Sequence, residues 1–469
     1  MPLRIATLER DDLLREGCEL QGQGRLSEAL ACFEEAVRVA PKALQTLIQL
    51  GFLLIHLKQW RRAAETYERI VPLLPRDHRV WCNLSYLYER CGDMTAAEDR
   101  ARKAIRFEPE SGEAWNNLGL ALRGQHRFPQ AMQAFQQAMF RQPELALAEF
   151  NLATTRLLLG DGELGWPGYE MRLRLANARL RMPVAPAWNG EPITGGRLLV
   201  YADQGLGDTL QFVRCLAKTR ERCAAPIVLS CQPELVTLLN GIAGADEVQG
   251  WNQEPTDIAE EVAISSLPGW LNIPPQSPPI LERYLSPPTS PWRASVAEVF
   301  REISPGRRRI GLVWQGNASQ GQDEVRSVAL RRLLPLASVP GITWISLQVG
   351  KNGRDQLSEL SDRWPLVDLG ASLEDFVDTA QVMSQLDLII TVDTSVAHLA
   401  GALGRPVWTL LAHTPDWRWG VTGADCPWYP TMRLFRQPRW GDWEFLIGEV
   451  RTALTDSMSL SPLRFDGVA

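Results

Sequence analysis

The strongest constraint on this chain is a register: across its first 143 residues the same residue types return every 34 positions. The segment GCELQGQGRLSEALACFEEAVRVAP contains Gly17, Ala29, Phe33, Ala36 and Pro41. Adding 34 reaches Gly51, Ala63, Tyr67, Ile70 and Pro75, and adding 34 again reaches Ser85, Ala97, Ala101, Ala104 and Pro109. A fourth copy carries Trp115, Leu118, Gly119, Ala131, Phe135, Ala138 and Pro143. Each unit reads as two antiparallel amphipathic helices. The small residue and the first alanine let the helices cross closely, the aromatic fills the space between them, and the proline stops the second helix. One such pair cannot bury its apolar face alone, so the copies must stack into a solenoid. A fifth, degenerate unit runs from about Leu147 to Leu175, where Gly160 keeps the turn and the closing pattern dissolves in GWPGYEMRLRL. A solenoid of this kind suits an extended peptide or another protein in its concave surface, and it carries no catalytic constellation.

After Arg181 the pattern changes. MPVAPAWNGEPITGG, rich in proline and glycine, reads as a linker or extended lead-in, and short apolar runs then alternate with helical segments. Strands are expected at 197–202, 226–231 and, more weakly, 262–264, with helices at Asp208–Leu216 and Pro233–Leu239. A proline-rich stretch, NIPPQSPPI then LSPPTSPW, precedes a second block. Its expected strands are 309–314, 342–348, 386–392, 406–411 and 432–436, and its expected helices are Ala329–Leu336, Ser372–Gln385, Ser395–Ala402 and Trp443–Leu454. Apolar strands alternating with helices mean parallel sheets covered on both faces, hence two Rossmann-like α/β lobes with a cleft between the carboxyl ends of their strands. The domain reading is an α-solenoid over 1–180, a linker and N-terminal lobe over 181–306, a C-terminal lobe over 307–455 and a disordered tail over 456–469.

Composition excludes several classes. A formal net charge of -6 gives no field for holding a nucleic-acid backbone or an anionic membrane surface over a large area. Eight cysteines without a CxxC spacing read as free thiols in a reducing compartment. The opening MPLRIATLERDDLLREG lacks an apolar run with a small-residue cleavage site, and no stretch approaches the ~18 apolar residues of a spanning helix. The expectation is a cytoplasmic protein with no membrane span and no nucleic-acid partner.

The loops after the expected strands carry the candidate chemistry. In YADQGLGDTLQF, Gly205 and Gly207 let backbone approach a ligand, and Asp208 either caps its helix or faces the cleft as a general base. The third glycine of a dinucleotide fingerprint is missing. In LIITVDTSVAHLAGALGRPVWTLL a strand runs into Asp393, Thr394 and Ser395 at a helix start, with His398 one turn on. Hydroxyls beside free helix-terminal amides suit an anion, so Thr394 and His398 read as a diphosphate contact, with a core histidine as the alternative for His398. RIGLVWQGN ends at Gln315, Gly316 and Asn317, followed by Asp323, Arg326 and Ser327; ISLQVGKNGRD ends similarly, with Gln348 and Lys351. Arg326 would bring the permanent positive charge that a leaving pyrophosphate needs. HTPDWRWG and CPWYPTMRLFRQ hold Asp416, Trp417, Arg418, Trp419, Trp428, Tyr429 and Arg433, a stretch that either packs the C-terminal lobe against its neighbour or lines the cleft.

On these residues the chain resembles bacterial tetratricopeptide-repeat proteins carrying a GT-B glycosyltransferase domain similar to the ADP-heptose:lipopolysaccharide heptosyltransferases, on the overall plan of the O-linked N-acetylglucosamine transferases. The resemblance runs through the repeats, GWPGYEMR, YADQGLGDTLQF, IGLVWQGN, RSVAL, DTSVAHLAGALGRPVWTLL, DWRWG and WYPTMRLFRQ. It implies a nucleotide-sugar donor held mostly by the C-terminal lobe and an acceptor approaching from the N-terminal one. It also implies Asp208, after Gly207, as general base, Asp393 near the donor sugar, and Thr394 with His398 near its diphosphate. Ser395 stands where heptosyltransferases often place a glycine. For the lysine those enzymes use beside the pyrophosphate, Arg326 and Lys351 are the candidates. The expected function is therefore transfer of a sugar from a nucleotide-sugar donor to a protein or glycan hydroxyl, without cofactor or metal, the acceptor being recruited by the repeats. The alternative is a catalytically silent protein-binding scaffold whose α/β half is a relic or a ligand sensor.

Overall fold

The structure is a computed structural model that describes residues 2–175, 183–193, 195–279, 281–301, 303, 306–317 and 323–459. It divides into two compact units, Met1–Thr155 and Arg156–Ala469. No helix among the described residues is long and apolar enough to cross a membrane.

The first unit is helical throughout: α1 (Pro2–Gly22), α2 (Leu26–Val39), α3 (Leu44–His56), α4 (Trp60–Ile70), α5 (His78–Arg90), α6 (Met94–Phe107), α7 (Gly112–Gly124), α8 (Phe128–Arg141) and the start of α9 (Ala146–Leu158). The repeat is a contact before it is a pattern. A Cβ on Gly17 would come within 2.5 Å of the Phe33 ring, on Gly51 within 2.7 Å of Tyr67 and on Gly119 within 2.4 Å of Phe135, so the ring occupies the space a larger side chain would need. In the third unit the aromatic is replaced by the buried Ala101 and the small position becomes Ser85, whose hydroxyl fills the gap and donates to the Ala97 carbonyl at 2.9 Å. The turn inside each unit also keeps the register. Gly24, Lys58, Gly92, His126 and Gly160 all have positive φ, a conformation that glycine reaches without strain. Where the following helix needs a cap the chain supplies it: Asp93 accepts from the Ala96 amide and Ser111 from the Ala114 amide.

The second unit begins within α9 and continues through α10 (Gly162–Tyr169) and a 3-10 turn, Glu170–Arg174. These residues, read from sequence as the fifth repeat, pack here: the Trp166 indole donates to the Ile273 carbonyl at 2.8 Å, and Trp166 is buried. Next come β1 (Arg197–Tyr201), α11 (Leu206–Phe212), α12 (Cys215–Arg222), β2 (Ile227–Cys231), α13 (Pro233–Leu239), β3 (Glu247–Gly250), β4 (Ile258–Ala263) and α14 (Leu267–Trp270). The four strands form a parallel sheet in the order β3-β2-β1-β4. The lead-in from Pro183 extends this sheet at its edge, since Trp188 N–H donates to the Glu261 carbonyl and Glu261 N–H to that of Pro186.

The second lobe holds α15 (Ala294–Arg301), β5 (Arg308–Val313), α16 (Asp323–Arg326), α17 (Leu330–Leu333), β6 (Ile342–Ser346), α18 (Lys351–Ser358), β7 (Val367–Asp368), α19 (Phe376–Ser384), β8 (Leu388–Val392), α20 (Ser395–Ala402), β9 (Val407–Leu411), β10 (Met432–Arg436) and α21 (Trp443–Ser459). Its parallel sheet runs β10-β9-β8-β5-β6-β7. Counted from its own first strand this is the doubly wound order, and the first lobe repeats its inner part. In both lobes the winding reverses beside the first strand, between β1 and β4 and between β5 and β8, and such reversals leave a crevice at the carboxyl ends of the strands. The second core is built on tryptophans, with Trp314, Trp344, Trp364 and Trp443 in one buried cluster.

Several expected elements differ in detail. The helix read over Asp208–Leu216 is two helices, separated by a turn at Val213–Arg214 where the Arg214 guanidinium donates to the Trp428 carbonyl at 2.8 Å. The helix read over Ala329–Leu336 shortens to one turn running into a 3-10 segment, Leu334–Ser338, because Pro335 has no N–H to continue the ladder. The helix read from Ser372 starts at Phe376, where Asp375 caps it by accepting from Val377 and Asp378 amides. Strand β4 starts at Ile258, ahead of the weak signal at Val262, and the short edge strands β3 and β7 carry no comparable apolar run. The closing helix continues into the segment read as a tail, and 460–469 lie outside the described residues.

Candidate functional site

The loops at the two winding reversals meet through α11 and α20. A Cβ on Gly207 would stand 2.7 Å from Cδ2 and 3.4 Å from Nε2 of His398, and 3.4 Å from Cα of Ser395, so the position tolerates only glycine. Gly207, Asp208, Ser395 and His398, predicted as site residues from two distant loops, are thereby brought together.

Asp208 sits in the first turn of α11 and does both things its sequence position allowed. Oδ2 accepts from the Gly205 amide at 3.0 Å, closing the helix start, and Oδ1 accepts from Nη2 of Arg418 at 2.6 Å. Burial pushes its carboxyl up from the ordinary aspartate range; Arg418 opposes this, while Asp416 and Asp203 add to it. The same Arg418 donates from Nε to Gln211 Oε1 at 2.7 Å and from Nη1 to Asp416 at 2.8 Å.

At α20, Thr394 is the cap, its hydroxyl accepting from the Val396 amide at 3.3 Å and lying 3.1 Å from that of Thr391. His398 is buried; its Nδ1 lies 2.9 Å from the Tyr429 hydroxyl and its ring stacks on Trp419 with centroids 5.1 Å apart. Burial first, then the charges of Arg418, Arg214 and Arg326, hold its proton affinity well below the usual histidine range, so the imidazole is neutral. It is thus packed like a core histidine and at the same time turned toward Gly207. Asp393 is pushed up by burial, with Arg326 as the leading opposing charge and Arg418 a further one. Arg326 lies 3.8 Å from Asp323 through Nε, which is buried and has no hydrogen-bond partner among the described residues.

The remaining expected donor contacts divide. Ser327 donates to Asp323 at 2.8 Å and accepts from the Gly316 amide at 3.0 Å, fixing the loop that carries Arg326. Gln348 is buried and uses both ends of its amide on backbone: Oε1 accepts from Trp314 and Gln315, and Nε2 donates to the Gln315 and Val349 carbonyls. It shapes the loop instead of offering a free group. The Gln315 side chain accepts from Gln356, and Asn317 is exposed. Lys351 stands in water, its side chain 83% exposed, with its ammonium on Asp355 at 2.6 Å.

Sequence reasoning left two features without a role. Arg418 belonged to the aromatic stretch whose alternatives were packing and lining the cleft, and it links the two lobes. The segment GWPGYEMR fixes the loop after β1: Arg172 donates from Nε to Asp203 at 2.8 Å and from Nη2 to Ser266 at 2.6 Å, and the Tyr169 hydroxyl accepts from Gln204 at 2.8 Å. Tyr169 and Trp166 also pack edge-on against Trp417, one residue before Arg418.

Residues 352–445 match glycosyltransferase family 9 (heptosyltransferase), and residues 20–84 and 82–146 each match a tetratricopeptide-repeat description. The chain therefore joins tetratricopeptide repeats to a glycosyltransferase family 9 domain, which indicates glycosyl transfer in general terms. Among curated proteins it is similar to protein FlbA of Caulobacter vibrioides, 25% identical over 92% of this chain and 76% of that protein. It is also similar to the general transcriptional corepressor ssn6 of Schizosaccharomyces pombe, 26% identical over 26% of this chain and 12% of that protein. Among solved structures, MamA from Desulfovibrio magneticus RS-1 is 18% identical over 36% of this chain and 98% of that one, with a TM-score of 0.33.

Proposed function

We propose that the chain is a GT-B glycosyltransferase that moves a sugar from a nucleotide-sugar donor to a hydroxyl on a protein or glycan, without a metal ion, and that the solenoid selects the acceptor. The observation that carries this reading is the approach of Gly207 to His398, which joins a partly buried carboxylate on one lobe to a helix start on the other. In this account Asp208 takes the acceptor proton as the hydroxyl oxygen attacks the sugar carbon bonded to the diphosphate. The leaving nucleoside diphosphate is stabilised by the positive end of α20, the Thr394 hydroxyl and the Arg326 guanidinium, whose Nε has no hydrogen-bond partner among the described residues. His398 contributes as a neutral hydrogen-bonding group, and Asp393 lies near the donor sugar.

One observation favours the silent scaffold: both Asp208 oxygens are already engaged, by Gly205 and Arg418. Saturation-transfer NMR on the full chain with UDP, GDP, ADP and dTDP separates the readings. The enzyme binds one of them, and His398→Ala and Arg326→Ala each weaken that nucleoside diphosphate about tenfold, roughly 1.4 kcal/mol, while the bare nucleoside is hardly affected. Binding of none of the four supports the scaffold.

A further inference from the structure

Arg418 is a buried cation with an unusual distribution of partners. It comes from the 3-10 turn Trp417–Trp419 beyond β9, and its three guanidinium nitrogens reach Gln211, Asp208 and Asp416 separately. Asp208 and Gln211 are three residues apart on α11, so one planar side chain of the second lobe engages one face of a helix in the first. Its guanidinium also lies over the Trp417 ring, 4.9 Å from the centroid, and Trp417 packs on Phe212 of the same helix. A lysine carries one nitrogen and cannot make this fork.

The groups facing Asp208 are the Gly205 amide, Arg418, the carboxylates of Asp416 and Asp203, the Tyr169 hydroxyl, and neutral His398 beyond Gly207. Burial and two carboxylates disfavour an ionised Asp208, and Arg418 is the leading charge on the other side. A carboxylic acid that must accept a proton in the reaction has to be ionised beforehand.

We propose that Arg418 is the positioning residue for Asp208, holding its carboxylate ionised and fixed through Oδ1, and that Asp416 is the counterweight that sets how much of that charge Asp208 receives. The proposal rests on the reading of Asp208 as the base. It assigns Arg418 no contact with substrate.

The test uses the full chain and reads the Asp208 carboxyl stretch by infrared difference against Asp208→Asn across pH, in otherwise wild-type, Arg418→Gln, Arg418→Lys and Asp416→Asn proteins. Arg418→Gln moves the titration of Asp208 upward by about one pH unit or more, the size of losing a contact ion pair, and the acidic limb of kcat/KM for sugar transfer moves with it. Arg418→Lys gives a smaller shift. Asp416→Asn moves both in the opposite direction. Because burial is what raises Asp208, general loss of structure would also lower its titration, so the upward shift in Arg418→Gln is the sign that unfolding does not produce. If Asp208→Asn abolishes transfer but neither Arg418→Gln nor Asp416→Asn displaces the titration, the role of Arg418 is overturned and the base stands. Full transfer by Asp208→Asn overturns the base and with it any role for Arg418 in the reaction.

Discussion

In the repeats one contact recurs, Gly17 with Phe33, Gly51 with Tyr67 and Gly119 with Phe135, whereas the lobe interface of the α/β unit rests on groups that occur once: Arg418 with Asp208, Gly207 with His398, Arg214 with the Trp428 carbonyl. The recurring contact is apolar and local, joining residues 16 apart in sequence, and its loss in one unit leaves the same contact intact in the others. Two of the lobe contacts are polar and partly or fully buried, and the third sets a glycine against the buried His398 ring. Stability in a solenoid is close to a sum of unit and neighbour terms, while a buried ionic network is sensitive to every member. The repeats are therefore suited to vary their surface, and the lobe interface is suited to hold a few groups in one arrangement.

The comparison can be broken by substitution. The largest effect expected is from Phe135→Ala, which removes a fully buried ring and costs about 3–5 kcal/mol. By hydrogen exchange the protection lost is concentrated in α7 and α8, while α3 and α4 keep theirs; uniform loss across all the repeats would contradict the additive picture. Gly119→Val is next, at about 1–3 kcal/mol from overpacking against the same ring, with the same local pattern.

A smaller effect concerns pH. His398 binds its proton less readily when folded than when unfolded, where the ordinary value is 6.5. The unfolded state therefore takes up more protons as pH falls below about 6.5, and folding stability declines from there downward. Asp208 and Asp393, raised when folded, change stability in the opposite sense: their folded forms hold protons to higher pH than their unfolded ones, so their unfavourable contribution grows as pH rises through the acid range. Urea midpoints for the wild type and His398→Gln isolate the histidine: the gap between them should change as pH falls from about 7.5 to 5.5, with the wild type losing more. Parallel curves would mean that His398 is not held neutral by its surroundings.

Much of the fold could be read in the sequence because the same local problem is solved repeatedly. Pro41, Pro109 and Pro143 each stand two residues past a helix end, and a glycine facing a ring 16 residues on announces a close crossing. The start of α20 was legible for a similar reason, since a Thr394 cap after an apolar strand needs no knowledge of distant chain. The partnership of Arg418 with Asp208 was not, because the two are 210 residues apart and no spacing records it. Gln348 and Lys351 illustrate the converse. Both occupy the end of a strand, where ligands bind, yet one has its amide taken up by neighbouring backbone and the other points into water. Position along the chain identifies the loop, but the partners of each side chain are decided by the packing around it.

The central claim is that the lobe interface performs glycosyl transfer with Asp208 as its base. The most direct measurement compares wild type with Asp208→Asn for turnover and affinity, using the nucleotide sugar whose diphosphate the NMR panel selects. Asparagine keeps most of the capping ability of aspartate but cannot take up the proton. The account predicts that turnover falls by roughly 10²–10⁴-fold while donor affinity stays within a few fold. Unchanged turnover would contradict it and leave Asp208 as a helix cap.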